Sequence, residues 1–159
     1  MSVEVKNGLD IKKTIRELIK QHGTERAELI PIMQKINADF GYISSEAIEE
    51  LALLMNLPTN QIFTVATFYR MLSTEPRGKH VIQFCESAPC HVAGSRQVWL
   101  ALQEALGLEN GQTSKDNKWT LLTTSCLGAC GIGPVLVIDQ NIYGNVQPQQ
   151  VKNILSRYE

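Results

Sequence analysis

The chain has 159 residues, 43% of them hydrophobic, and 15 lysines and arginines against 16 aspartates and glutamates give a formal net charge of −1. That length suits one or two small domains with real cores, and the charge balance makes no case for nucleic acid or an anionic membrane surface as a partner. No apolar run approaches a membrane span, so direct membrane insertion is not expected, and there is no internal repeat or low-complexity tract.

The first half reads as helical. Ile11, Ile15, Leu18 and Ile19 fall on one helical face, and Leu29, Ile30, Met33, Ile36 and Phe40 repeat the spacing. Gly41-Tyr42 breaks this second helix. Ser44 or Ser45 ahead of Glu46 starts a third, carrying Ile48, Leu51, Ala52, Leu54 and Met55, and this helix must stop before Pro58. Thr59 is the expected cap of a fourth segment bearing Ile62, Val65, Ala66 and Tyr69. Apolar faces of this kind are core, so residues 1–77 are expected to form a small helical bundle. Thr74-Glu75-Pro76-Arg77-Gly78 interrupts helix and strand alike and reads as a linker.

Past the linker the periodicity changes. His80 to Phe84 is a short strand running into the first cysteine loop, and Ser95 to Leu106 a helix with Val98, Leu102 and Leu106 on one side and Gly107 as its stop. Trp119 to Thr123 is a second strand, leading to Cys126. Val135 to Ile138 and Ile142-Tyr143 form a hairpin across Asp139-Gln140-Asn141, and Pro148 occupies the first turn of a last helix bearing Val151, Ile154 and Leu155. A βα unit followed by a hairpin and a closing helix over residues 78–159 is compatible with a thioredoxin-like α/β sandwich. The whole chain is then a two-domain α+β protein whose cysteine loops sit where strands end, a usual place for function.

Four cysteines are present, Cys85 with Cys90 in C-x4-C and Cys126 with Cys130 in C-x3-C. Four thiolates converging from two loops are soft, negative donors suited to a buried metal centre. Zinc competes for them, because structural four-cysteine zinc sites also pair their ligands at short spacings, although the C-x4-C arm is wider than the usual C-x2-C knuckle. Met1-Ser2-Val3-Glu4-Val5-Lys6 lacks the apolar run of a signal peptide, so a reducing cytoplasm is the expected compartment and structural disulfides are not expected. A thioredoxin-type C-x2-C pair is missing, as are the bacterial C-x2-C-x2-C-x3-C-P run and the plant-type C-x4-C-x2-C loop. A Rieske centre needs two histidine ligands; the histidines are His22, His80 and His91, and His91 reads as solvent-facing or hydrogen-bonded after a ligand loop. The balance favours one [2Fe–2S] cluster on Cys85, Cys90, Cys126 and Cys130, and hence an electron carrier.

Gly128, Gly131 and Gly133 crowd the second cysteine pair and Pro134 closes the stretch. Glycine lets backbone approach a cluster and turn N–H groups toward sulfur, which with charge and exposure tunes reduction potential. That role is assigned to Gly128, between two ligands, while Gly131 and Gly133 fit a plain turn equally well. The order G-x-x-G-x-G is wrong for the dinucleotide fingerprint, and no Walker-type loop or catalytic acid–base pair is visible. Any nicotinamide or flavin chemistry must therefore sit on another subunit.

Ala66-Thr67-Phe68-Tyr69, Gly78-Lys79-His80, the C-x4-C with Gly94-Ser95 after it, Asp116, Cys126-Leu127-Gly128-Ala129-Cys130 and Pro134-Val135 occur in one order. Together they resemble the small thioredoxin-like [2Fe–2S] subunit of NADH:quinone oxidoreductase (complex I) and its relatives in NAD-linked, including electron-bifurcating, hydrogenases and NAD-linked formate dehydrogenases. The resemblance runs over nearly the whole chain. It implies a helical bundle followed by a thioredoxin-like domain, with cluster ligands at Cys85, Cys90, Cys126 and Cys130. It further implies docking on a larger flavoprotein that binds FMN, NAD(H) and a [4Fe–4S] cluster, beside further iron–sulfur subunits, in the cytoplasm or at the cytoplasmic face of a membrane through partners. Ser125 stands where many members carry an acidic residue, Asn117 where glycine is common, and Ser44-Ser45 where an Ile-Pro pair often begins the helix. Asparagine tolerates the left-handed turn this requires. The Glu86-Ser87-Ala88-Pro89 filling and His91-Val92 lean toward the hydrogenase branch over the respiratory or formate-linked ones. Two other functions fit part of the sequence: a zinc-stabilised structural module, and a free-standing ferredoxin, for which the helical half would be superfluous.

Overall fold

The computed structural model describes residues 8–158; the Met1–Lys6 stretch, inspected above for a signal peptide, lies outside them. The chain falls into two compact units, Met1–Pro76 and Arg77–Glu159.

The first unit is built from α1 (Gly8–His22), α2 (Leu29–Phe40), α3 (Ser45–Met55) and α4 (Thr59–Phe68). Its core joins Ile11, Ile15 and Leu18 with Leu29, Ile32, Met33, Ile36, Ile43, Leu51, Met55 and Ile62. Burying each such side chain is worth about 1.5–3 kcal/mol. On α2, Ile32 is fully buried where Ile30 was expected, because the stripe follows Leu29, Ile32, Met33 and Ile36. Gly41 ends α2 at φ +80, its N–H on the Asn37 carbonyl. Ser44 caps α3, its Oγ accepting the Ala47 N–H at 3.2 Å, and Asn56 turns left-handed ahead of Pro58. Thr59 does not cap α4: Pro58 takes that position without a side-chain bond, and Thr59 is already helical. α4 also ends one residue early, with Tyr69 extended at its C-cap.

Polar bonds fix how these helices meet. Arg16 Nε donates to Glu50 Oε1 at 2.8 Å, which accounts for a carboxylate only 6% exposed inside the α1–α3 contact; a buried charge without such a partner would be strongly destabilising. Asn37 Oδ1 accepts the Ser73 N–H at 2.9 Å, and the Ile43 N–H donates to the Ser73 carbonyl at 2.7 Å. The segment after α4 is thereby tied to the end of α2.

The second unit holds a four-stranded sheet in the order β2-β1-β3-β4, formed by β1 (His80–Cys85), β2 (Trp119–Thr124), β3 (Leu136–Ile138) and β4 (Asn141–Tyr143). β1 and β2 run parallel, with His80 opposite Trp119 and Cys85 opposite Thr124. Parallel neighbours need a crossover, supplied here by a short α5 (Ala88–Val92) and by α6 (Ser95–Leu106). β3 and β4 form an antiparallel hairpin on the other edge of β1, and its turn is shorter than expected because Asn141 already pairs with Ile138. α7 (Val151–Leu155) closes the unit, preceded by a 3-10 turn that begins at Pro148. Val98 and Leu102 of α6 and Val151 and Ile154 of α7 share one core with Ile82, Phe84, Leu121, Leu136 and Ile138 of the sheet. Asn117 is left-handed at φ +54, as its turn requires. This is the helical region followed by a thioredoxin-like α/β unit expected from the sequence. No helix among the described residues is long and apolar enough to cross a membrane.

Candidate metal centre

Parallel pairing of β1 and β2 brings their C-terminal ends side by side, the general place for a site in such sheets. Cys85 is the last residue of β1, and Cys126 lies two residues beyond β2. The Glu86 N–H donates to the Thr124 carbonyl at 3.1 Å, so the two loops leave the sheet together. A third segment joins them: the Cys85 N–H donates to the Val135 carbonyl at 3.1 Å, and the Gly133–Pro134 peptide just before it is cis. The loop that follows Cys130 is strapped from behind, the Asn145 N–H donating to the Ile132 carbonyl at 2.6 Å and the Val146 N–H to the Pro134 carbonyl at 3.2 Å.

The four cysteines lie as free thiols in the loops at this end of the sheet, as an inner pair and an outer pair. Cys85 and Cys90 are each 1% exposed and pack with Val135, Leu127 and Ala129, whereas Cys126 and Cys130 face solvent. The Sγ atoms of Cys126 and Cys130 are 3.4 Å apart. Cys85 and Cys90 are close enough for each to act on the other's ionisation, and Cys85 and Cys130 are close enough for charge on one to act on the other. Among the described residues, no three His, Cys, Asp or Glu side chains are gathered as a single ion would need; the thiols stand as two pairs. The histidines take no part. His22 pairs with Glu28 at 3.2 Å, His80 with Asp139 at 2.7 Å, and His91 is exposed.

Burial works hardest against ionising Cys85, yet the Ser87 and Leu127 N–H groups, the Cys90 thiol and the Ser87 hydroxyl together outweigh it and lower its pKa. Burial raises the Cys90 thiol, seconded by its hydrogen bond to Cys85 and opposed by the Val135 backbone. Cys130 is raised mainly by its hydrogen bond to Cys126. A metal centre binding these thiols would displace their protons.

Glycine makes part of this possible. Gly128, between two cysteines, sits at φ +80 and donates its N–H to Cys126 Sγ at 3.3 Å. At Gly133 space is tight, since a Cβ there would lie 3.2 Å from Cys90 Sγ. Gly131 meets nothing within 4 Å and is a plain turn residue.

Sequence reasoning missed Ser87 and α5. Ser87 precedes Ala88-Pro89 at the start of α5, a serine-then-proline helix start that was legible in principle. Its hydroxyl leaves the helix uncapped and instead helps lower the Cys85 pKa. The Leu127 and Val135 donors are backbone groups and leave no mark in residue type.

Two thiol pairs, a backbone N–H donating to one sulfur and a glycine close against another fit a cluster that would share four thiolates between two irons. The comparisons with known proteins agree. A subunit of NADH-quinone oxidoreductase from Buchnera aphidicola is 34% identical over 159 residues, covering 99% of this chain and 93% of that protein. The corresponding NADH-quinone oxidoreductase subunit from Escherichia coli is 32% identical over 148 residues, covering 93% and 89%. The HndA subunit of an NADP-reducing hydrogenase from Solidesulfovibrio fructosivorans is 30% identical over 146 residues, covering 92% and 85%. In fold, a chain of an NAD+-reducing [NiFe]-hydrogenase in its air-oxidised state superposes with a TM-score of 0.71 at 20% identity, over 82% of this chain and 22% of that one. The family model of the thioredoxin-like [2Fe–2S] ferredoxins matches residues 15–159, bundle and cysteine loops together, and the chain belongs to that family.

Proposed function

We propose that Cys85, Cys90, Cys126 and Cys130 hold one [2Fe–2S] cluster, and that the chain is a non-catalytic electron-transfer subunit of an NAD(H)-dependent oxidoreductase. The observation that carries this reading is the placing of two thiol pairs at neighbouring strand ends, with the Gly128 N–H donating to Cys126 Sγ. When bound, the cluster supplies a one-electron couple. The protein's own part is to hold and tune it. Val135, Leu127 and Ala129 exclude water around the inner pair, the N–H donors favour the more negative state, and the exposed outer pair marks the face a redox partner approaches. FMN and NAD(H) belong to a partner flavoprotein, because this sequence has no nucleotide-binding turn. The work is placed in the cytoplasm, where thiols stay reduced. Within the class, the Glu86-Ser87-Ala88-Pro89 filling favours a hydrogenase complex, including a bifurcating one, over a respiratory or formate-linked one.

The first unit is read as a docking element. It leaves Leu53, Phe63, Phe68 and Met71 exposed at 74%, 51%, 77% and 58%, more apolar surface than a freely diffusing carrier needs, and a permanent interface commonly buries above about 2,000 Å². Residues 78–159 are read as a domain able to fold alone. Co-expression with the flavoprotein tests both readings. The isolated full chain should not oxidise NADH with a dye acceptor, and a chain lacking residues 1–76 should stay coloured yet fail to co-purify with the flavoprotein. NADH oxidation by the isolated chain, or full-rate assembly of the truncated one, contradicts the reading.

A further inference from the structure

The two thiol pairs differ in a way that ligation alone does not require. Cys85 and Cys90 are sealed at 1% exposure, while Cys126 and Cys130 lie open to solvent with their sulfurs 3.4 Å apart. A disulfide bond is about 2.05 Å long, so the outer pair is little more than an ångström from bonding distance. Gly128, between the two cysteines, is left-handed at φ +80 and donates its N–H to Cys126 Sγ at 3.3 Å.

We propose that in the cluster-free chain Cys126 and Cys130 form a reversible disulfide with a small-molecule disulfide such as glutathione disulfide as oxidant, and that this bond gates cluster insertion. One cysteine, as thiolate, attacks a sulfur of the oxidant. The oxidant's S–S bond breaks, a mixed disulfide forms, and one glutathione leaves carrying the proton given up by that cysteine. The second cysteine then loses its proton, attacks the protein sulfur of the mixed disulfide and displaces the second glutathione. Two protein thiols are oxidised, one disulfide is reduced to two thiols, and nothing else is consumed. Such a bond is transient in a reducing compartment, the form cytosolic disulfides take. It would shield the two exposed thiols from irreversible over-oxidation until iron and sulfide arrive. The bond itself is independent of which metal centre the cysteines hold; the gate rests on the ligand reading above.

The full chain, stripped of metal and equilibrated anaerobically in glutathione buffers of graded ratio, tests this by alkylation and mass mapping. Trypsin places each pair on its own peptide, residues 80–96 and 119–152, because Lys79, Arg96, Lys118 and Lys152 bound them. Peptide 119–152 should lose two hydrogens and resist alkylation at a roughly tenfold lower oxidant ratio than peptide 80–96. Oxidation of 80–96 first, a cross-link between the two peptides, or no disulfide at any ratio overturns the proposal. In Cys126→Ser and Cys130→Ser the remaining outer cysteine should keep a glutathione adduct, and loss of that adduct to an internal disulfide contradicts it. Ferrous iron binding by the oxidised chain, read before any sulfide is added because sulfide itself cleaves disulfides, should begin only after a phosphine reductant is added, and equal binding without it removes the gate. If the fully reduced chain takes up no iron, the gate and the ligand reading fall together, while the mapped bond stands.

Discussion

Gly133 and Gly131 stand two residues apart after Cys130, yet their surroundings differ. A methyl group at Gly133 would press on Cys90 Sγ at 3.2 Å and on the Cys130 carbonyl at 3.4 Å, and at Gly131 it would meet nothing within 4 Å. Gly133→Ala should therefore fold but lose iron to a chelator on the order of tenfold faster, while Gly131→Ala should match the parent. Equal loss from both would show that Gly133 is only a turn. Tyr158 offers a test by pH. Its hydroxyl bonds the Tyr143 hydroxyl at 2.8 Å and receives the Asn141 amide at 3.0 Å. Burial and then Tyr143 push its pKa from 10.0 up to about 12. The folded state favours the neutral phenol, so this stabilisation is complete below the unfolded value of 10.0 and is lost as pH rises through about 12. Chemical denaturation of the parent should weaken across that window, and Tyr158→Phe should flatten the loss; parallel losses would contradict the assignment.

Elements with a strong apolar period were legible, and those defined by backbone chemistry were not. The four helices of the first unit announced themselves through stripes such as Ile11, Ile15 and Leu18, because burial on one face fixes spacing. Within α2 a period of 3.6 cannot separate Ile30 from Ile32 when both flank the stripe, and only packing chose Ile32. Short α5 has no stripe at all, only Ser87 and Pro89 at its start. Caps divided evenly: Ser44 bonds the Ala47 N–H, but Thr59 lies inside α4 because Pro58 already supplies the extended residue before the helix. Ser44→Ala should cost about 1 kcal/mol of the first unit's stability, and Thr59→Ala should change it by less than about 0.5 kcal/mol, as read by urea unfolding. The reverse order would mean the caps are misassigned. The site shows the same division. Four cysteines were visible as residue types at telling spacings, whereas the Leu127 and Val135 N–H donors that act on them depend on how loops fold.

At the scale of the whole molecule, the parallel β1–β2 pair decides where chemistry can happen. It sets Cys85 opposite Thr124, two residues before Cys126, so two segments 41 positions apart in sequence deliver their thiols to one end of a sheet. The hairpin adds Val135 and the Gly133 approach from the other side. What results is a rigid holder with one sealed and one open pair, suited to keeping a redox centre rather than to turning over a substrate. The measurement that tests this most directly is iron, acid-labile sulfide and zinc per chain in protein purified without oxygen, read with the electron paramagnetic resonance of the dithionite-reduced sample. The account predicts two irons and two sulfides per chain, no stoichiometric zinc, and a spin-one-half signal on reduction. Stoichiometric zinc without iron, or a sample shown to be reduced yet silent, would contradict it.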